Sequence, residues 1–464
     1  MDTTLNTPAG GGYREISYWH DSVAADGDDL AQRPSLDGPT DADVVIVGGG
    51  LTGLWTAWYL AQREPTARIL VIEKEIAGFG ASGRNGGWCS ALFPRSASSL
   101  ARTHGREGAV AMRRAMIGTV DEVGRAAAEA GVDCDYVRGG TVLYTRSVVQ
   151  ERAGRADVDE AADFGVDPLE WWDADAVRAA GATGAVFDPS CARVHPAKLV
   201  RGIARAVEAR GVRIAEGTTV TRVDPGRVET DRGVVSCDRI VLAVEGYGAG
   251  LAQTHRRILP LYSLMIATEP LPAAVWDEID VPHGRTFSDY RHLLVYGQRT
   301  ADDRFAFGGR GARYHFGSAI RPGYDRVERV FSHLRRTLGE LFPAIGDVEV
   351  THRWGGPLGV PRDWHAGVRF DPRTRIAWAG GYVGDGLSTT NLAGRTLADL
   401  LSGTDSELVR LPWVGHRSPD WEVEPFRFLG ANAGLAAMGV ADAEEGLTGR
   451  PSLVARALGP LIGH

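Results

Sequence analysis

Lysine is nearly missing from this 464-residue chain: of 51 basic residues only Lys74 and Lys198 are lysines, and the rest are arginines. A GC-rich genome accounts for that bias without any function, yet it removes lysine chemistry from almost the whole molecule. Positive charge is also not in excess. Acidic residues number 59 and the net charge is −8, so the chain carries no electrostatic footprint for a phosphate backbone, and nucleic-acid binding is excluded. Cysteine is scarce too. Cys89, Cys134, Cys191 and Cys237 lie far apart with no C-x-x-C pair, which argues against a zinc or other metal centre, a dithiol redox pair or a disulfide framework, and fits a reducing cytoplasm. No run of ~18 apolar residues is present, so no membrane partner is expected. The nearest candidate, Phe428–Val440, is broken by Asn432 and reads as a packed surface helix. Met1–Asp41 is polar and rich in Gly and Asp, without the basic and apolar regions of a signal peptide.

What is abundant is glycine, 60 residues, nearly twice the usual ~7% and not periodic, so tight turns and close backbone approaches are expected. The 44% hydrophobic and 24% charged fractions are those of an ordinary globular protein, and the length suggests two or three domains.

Asp43–Val47 is a β-branched apolar run that ends in three glycines, Leu51–Arg63 has helical periodicity, and Arg68–Glu73 is strand-like. Strand, glycine turn, helix and strand make a βαβ unit and therefore a parallel sheet. Helix is expected again over Leu100–Ala130, Ala197–Arg210, Tyr324–Leu341 and Thr389–Leu401. Alternating strands over Leu259–Glu269, His292–Tyr296 and Arg304–Gly308 point to an antiparallel sheet in a second domain. The expected layout is a polar leader (1–41), a Rossmann-like α/β dinucleotide domain from discontinuous segments (42–100, 190–256, 350–425), an inserted helical and antiparallel-sheet substrate domain (101–189, 257–349), and a C-terminal helical extension (426–464).

Gly48-x-Gly50-x-x-Gly53, with Leu51 and Thr52 between its glycines, joins a strand to a helix, and Glu73 ends the next strand. The glycines permit the turn, the approach of a pyrophosphate to the helix N-terminus and close helix–strand packing, and the acid suits a ribose hydroxyl. Lys74 and the loop Gly78–Gly87 (GFGASGRNGG) follow, as a segment running along a long cofactor would. No second fingerprint for a nicotinamide nucleotide occurs. Far downstream, Gly380-Gly381-x-x-Gly384-Asp385-Gly386 precedes another helix beginning Leu387-Ser388-Thr389, with Gly394 inside it. That helix N-terminus would favour negative charge such as develops at N1/O2 of a reduced flavin.

Gly48–Gly53, Glu73, GFGASGRNGG, His195-Pro196-x-Lys198-Leu199, Trp354-Gly355-Gly356 and Gly380–Gly394 together resemble the D-amino-acid oxidase (DAO) superfamily of FAD-dependent amine and amino-acid oxidoreductases, from about Ser17 onward. The subgroup of γ-glutamylputrescine and aminophosphonate oxidoreductases is the most similar. The resemblance implies oxidation of a C–N bond by hydride transfer to flavin, an imine that hydrolyses to a carbonyl, and dioxygen as acceptor giving hydrogen peroxide. It implies FAD contacts at the residues above, at Gly80, Ala81, Ser82, Gly83, Arg84, Asn85, Gly86, Gly87 and Trp88, at Val220 and Val223 beside the adenine, and in the turn Ala243–Gly246, where Glu245 departs from the usual residue. No cysteine follows Cys237, so attachment of FAD through a late cysteine is excluded, and Cys89 reads as a buried thiol. Substrate candidates are Tyr262, Tyr290, Arg291, Tyr296, Arg310, Arg313, His315 and Trp354, since a guanidinium suits a carboxylate or phosphonate. An aromatic monooxygenase using NAD(P)H is the alternative that Gly384-Asp385 leaves open.

Overall fold

The computed structural model describes residues 12–462, so the first eleven residues of the expected leader and the last two of the extension lie outside the described residues. The sheet of the first domain is centred on Thr40–Val47, a strand whose second half is buried. It pairs in parallel with Gly233–Leu242 on one side and Ile69–Ile72 on the other. Arg213–Ala215 extends the sheet beyond Ile69–Ile72 in parallel. On the opposite side Ile376–Gly380 runs parallel to Gly233–Leu242, and Gly367–Asp371 closes that edge antiparallel. The chain therefore fills the sheet outward from its centre in two directions, which places a switch point at the carboxyl end of Thr40–Val47. Open α/β sheets bind ligands in that crevice.

Helices Leu51–Arg63, Pro196–Glu208, Gly386–Ser402 and Ala97–Glu129 cover one face, and Trp55, Trp58, Met112, Met116, Val120 and Leu397 share one core. Ala97–Glu129 thus belongs to the dinucleotide domain, a correction to the expected boundary at residue 100. Its buried stripe of Met112, Met116, Val120 and Val123 selects the helical core rather than the second sheet.

The second sheet has the order Val350–Val360, Leu259–Thr268, Phe305–Gly309, Val295–Arg299, Thr286–Asp289, Thr141–Thr145, Gly184–Asp188 and Glu170–Asp173. Only the pair Thr286–Asp289 and Thr141–Thr145 is parallel. Val350–Val360 pairs along its length with Leu259–Thr268, so the second domain runs past residue 349. Helix Glu328–Leu341 packs Phe331, Leu334 and Leu338 against Phe287, Phe305 and Phe307 of this sheet. The strand expected at His292–Tyr296 begins later, at Val295, because the backbone N–H groups of His292 and Leu293 donate to the Asp442 carboxylate at 2.7 and 2.9 Å.

The described part of the leader is not a loose arm. Helix Tyr18–Ala25 is capped by Ser17 and buries Tyr18, Trp19, His20 and Val23 between the two domains. Trp19 Nε1 donates to the Asn85 carbonyl at 2.8 Å, and Tyr18 OH donates to Asp302.

Candidate active site

At the carboxyl end of the central strand Gly48 adopts φ +111°, and a Cβ there would lie 2.4 Å from the Ala243 carbonyl oxygen. A Cβ on Gly53 would lie 2.1 Å from the Gly48 oxygen, so the helix seats directly on its own turn. Gly50 precedes the helix without a side-chain cap, and the Leu51 N–H donates to Ser82 Oγ at 2.8 Å. Glu73 is half-buried beside this turn. It accepts from the Gly49 N–H at 2.7 Å and from the Glu75 N–H at 2.9 Å, while burial pushes its carboxyl up to about 7. Lys74, next along, is exposed.

The late turn reaches the same crevice. Gly381 and Gly384 have φ +77° and +113°. Glu245 Oε1 accepts from the N–H groups of Gly381 and Tyr382 at 3.1 and 3.0 Å, and a side chain at Gly359 would meet Oε2 at 1.7 Å. Tyr382 OH and Thr52 Oγ1 lie 3.0 Å apart, joining the two glycine turns. Helix Gly386–Ser402 begins after Asp385, again without a side-chain cap, and crosses Leu51–Arg63 where a Cβ on Gly394 would touch the Trp55 backbone at 2.7 Å. Its first side chains are spent on the protein: Ser388 donates to the Ser90 carbonyl, Thr389 Oγ1 to the Asp385 carbonyl, and Leu387 is buried. Two helix N-termini with glycine approaches, neither capped by its own N-cap residue, thus converge, which suits a dinucleotide diphosphate and an anionic ring edge.

The loop between them is cross-braced. Asn85 Nδ2 donates to the Ala81 and Ser82 carbonyls at 3.0 and 3.1 Å and its Oδ1 accepts from Gly87 N–H at 2.8 Å. Buried Arg84 donates to Gly355 O at 2.9 Å and to Tyr247 OH at 2.7 Å, and its guanidinium lies 4.9 Å from the Phe79 ring centre. A Cβ on Gly80 would be 3.3 Å from the Tyr247 ring, and one on Gly83 would be 2.8 Å from His20 Cε1. Gln298 Nε2 donates to Gly86 O at 2.6 Å, and Trp88 Nε1 donates to Gly297 O at 3.1 Å. The Tyr296 ring covers Gly86, where a Cβ would come within 2.6 Å.

Arg310, at the end of Phe305–Gly309, donates through Nη2 to the Val383 carbonyl at 2.7 Å, its only side-chain hydrogen bond among the described residues. Its guanidinium lies 5.2 Å from the Trp364 ring centre, and burial lowers its pKa. Asp385 nearby is pushed up to about 6 by burial, against the opposing pull of Arg310. Tyr296 OH and Ser263 Oγ pair at 2.8 Å. Tyr262 is buried with its edge toward His315 and Tyr324, whose rings stack at 3.4 Å between centres.

Three of the expected substrate residues are placed elsewhere. Tyr290 OH donates to Asp157 Oδ2 at 2.8 Å, and Arg291 is committed to Asp289, with Nε–Oδ1 at 2.7 Å. Trp354 is fully buried and donates to the Arg84 carbonyl at 2.9 Å, so it forms core under the loop and no wall of the crevice. Arg313 is exposed. Val223 packs inside the apolar layer beneath the sheet, Val220 is half-buried beside it, and Gly246 lies against the backbone of Pro357–Gly359. Cys89 is buried in the first core, and burial pushes its thiol well up. The sequence reading missed Tyr247, Tyr382 as a bridge, Gln298 and Trp19. Only Tyr382 carried a signal, standing inside the late glycine motif.

The model of the family described as DAO, FAD dependent oxidoreductase, matches residues 43–400. The γ-glutamylputrescine oxidoreductase of Escherichia coli (strain K12) is 32% identical over 428 residues, covering 88% of this chain and 95% of that protein. The sarcosine oxidase subunit beta of Rhizobium meliloti (strain 1021) is 26% identical over 374 residues, 78% of this chain and 84% of that one. Among solved structures, the glycine oxidase of Geobacillus kaustophilus superposes with a TM-score of 0.67 at 20% identity, covering 81% of this chain and 99% of that chain, a likeness of fold. The glycine turns, the braced loop and the two helix N-termini all lie within the matched residues, and the chain belongs to the DAO family of FAD-dependent oxidoreductases.

Proposed function

We propose that the protein oxidises the C–N bond of a small primary or secondary amine or amino acid, giving an imine that hydrolyses to a carbonyl compound, with dioxygen as the electron acceptor and hydrogen peroxide as its product. The observation that carries this reading is Arg310, brought from the second sheet onto the Val383 carbonyl of the late glycine turn. A guanidinium has five N–H donors, and a half-buried one with one bond to the protein is suited to a carboxylate or similar anion on the substrate. The relatives act, by their names, on γ-glutamylputrescine, sarcosine and glycine, all of which carry a carboxylate and an amine.

FAD, when bound, supplies the acceptor for the hydride on the carbon next to nitrogen. The backbone N–H groups of Gly50 and Thr52 and those of Gly386 and Leu387 would hold its anionic groups, and Glu73 its ribose hydroxyls. Arg310 would orient the substrate, and Tyr296 with the Gly86–Trp88 segment would shield the reacting carbon from water. No step requires a side-chain base: the amine enters neutral and its orientation does the rest. Lys198 takes no part in these steps, since it is paired with Asp26 and Asp135 at 3.3 and 3.4 Å.

The test is anaerobic titration of the purified yellow protein with a panel of amines, followed by air and a peroxide assay. Bleaching of the visible flavin band by an amine and peroxide on aeration are expected. Reduction by NADPH and not by amines would overturn the proposal in favour of a monooxygenase.

A further inference from the structure

The helix Phe426–Thr448 lies beyond the residues matched by the family model, and none of the crevice residues belongs to it. One of its faces is spent on the body of the protein: Asn432 Oδ1 accepts from the Tyr314 N–H, Asp442 accepts from His292 and Leu293, and Glu445 meets His292 Nε2 at 3.0 Å. The opposite face is open. Phe426, Leu429, Val440 and Leu447 are 67%, 59%, 54% and 89% exposed, and Ala433, Ala436 and Ala443 are exposed between them. These seven residues follow one another at steps of three and four without a break, the spacing that keeps an apolar seam facing a partner helix. The seam spans ~31 Å at ~1.5 Å per residue. From Phe428 to Ala441 the helix has no charged residue at all. A helix face in water is ordinarily polar, and a contiguous apolar strip on one marks a contact surface.

We propose that this seam is covered by the same seam of a second copy of the chain, packed antiparallel. The 3–4 repeat describes a helix partner, and the uncharged flanks Gly430, Asn432, Ala437 and Gly439 let two such helices approach closely. Leu429 of one copy then meets Leu447 of the other, Ala433 meets Ala443, and Ala436 meets Val440, so that larger and smaller side chains alternate along the contact. A parallel pair would bring both Glu444 side chains to one end of the seam, whereas antiparallel packing separates them and opposes the helix dipoles. A lipid surface is a poorer match, because interfacial helices carry Lys and Arg on the polar face and this one carries Asp442, Glu444 and Glu445.

The test uses the full-length, FAD-loaded protein. Sedimentation is expected to give twice 49.7 kDa, and Ala436→Glu with Val440→Glu is expected to give 49.7 kDa with flavin absorbance and melting temperature unchanged. All four native cysteines are buried, so an introduced thiol is the reactive one. A mixture of Leu429→Cys and Leu447→Cys proteins should form a disulfide between the two variants, with neither linking to itself, since like positions stand ~27 Å apart along an antiparallel pair. A wild-type mass of 49.7 kDa, a charged double variant that stays dimeric, self-linking of Leu447→Cys, or flotation of wild-type protein on phosphatidylcholine vesicles would each overturn the proposal.

Discussion

The Arg310 guanidinium and the Val383 carbonyl oxygen, 73 residues apart in sequence, meet at 2.7 Å and fix where the second sheet touches the late glycine turn. Val383 has φ +56°, so its carbonyl is turned toward the second domain by a backbone conformation that the turn imposes.

Replacing Arg310 by Met leaves the Val383 carbonyl without its donor, so a loss of about 1–3 kcal/mol in stability is expected, with FAD content close to wild type. The loss of kcat/KM toward amines that carry a carboxylate should be roughly 10- to 100-fold, the worth of a charge-assisted hydrogen bond. Amines without an anionic group should lose far less. Equal loss on both substrate types, read by peroxide release, would contradict the anion-binding role.

Glu73→Gln keeps one acceptor for two N–H groups. FAD affinity, measured by quenching of flavin fluorescence, should fall about 10-fold or more. The apoprotein should respond in the opposite sense at neutral pH. With a folded-state carboxyl near 7 against an ordinary 4.5, Glu73 binds more protons folded than unfolded between those values, so its contribution to stability is full below 4.5 and lost as pH rises through 7. The melting temperature of apo Glu73→Gln should accordingly fall less than that of wild type between pH 5 and pH 8, a comparison of ~3 pH units.

Gly53→Ala sets a methyl group 2.1 Å from a backbone oxygen, and the helix must shift to admit it. A cost of about 3 kcal/mol or more is expected by urea denaturation, with loss of flavin. Gly118 is the control. It lies exposed in Ala97–Glu129 with nothing within 4 Å of its Cβ position, and Gly118→Ala should stabilise by about 0.5–1 kcal/mol.

His20 and His195 contribute to the acid response, as does His365, whose pKa burial lowers to about 4. Burial, reinforced by Arg84 for His20 and by Lys198 for His195, holds both near 3 against an ordinary 6.5. The unfolded chain binds more protons than the folded one across that window, so stability should fall as pH drops below about 6.5 toward 3. His195 also caps helix Pro196–Glu208, its Nδ1 accepting from the Lys198 N–H at 3.2 Å. His195→Asn keeps a cap and removes one titration, and its urea midpoint should depend less on pH than that of wild type.

The βαβ unit was legible because its signals are local: β-branched residues, a glycine turn and a period-3.6 helix stand next to one another in Asp43–Glu73. The late glycine turn was legible for the same reason. Long-range choices were not. Composition makes the leader polar, yet the three residues Tyr18, Trp19 and His20 anchor it, and nothing local says that Trp19 will find the Asn85 carbonyl. Arg291 and Arg310 look alike in sequence. Asp289, two residues before Arg291, captures it, whereas Arg310 has no acid so near and remains available to the crevice. Trp354, expected at the substrate, instead fills the space under Arg84, and Tyr247, which no local signal marked, takes an N–H of that guanidinium.

The placement of Thr40–Val47 between strands drawn from Ile69–Ile72 and from Gly233–Leu242 bears on how the protein is made. During synthesis this central strand emerges early, but one of its two neighbours follows about 190 residues later, and the helix that completes the cofactor crevice ends only at Ser402. An unpaired, buried-type strand edge must wait through most of translation, a situation that favours slow folding and chaperone capture of the nascent chain. The flavin cannot be enclosed until almost the entire polypeptide has left the ribosome.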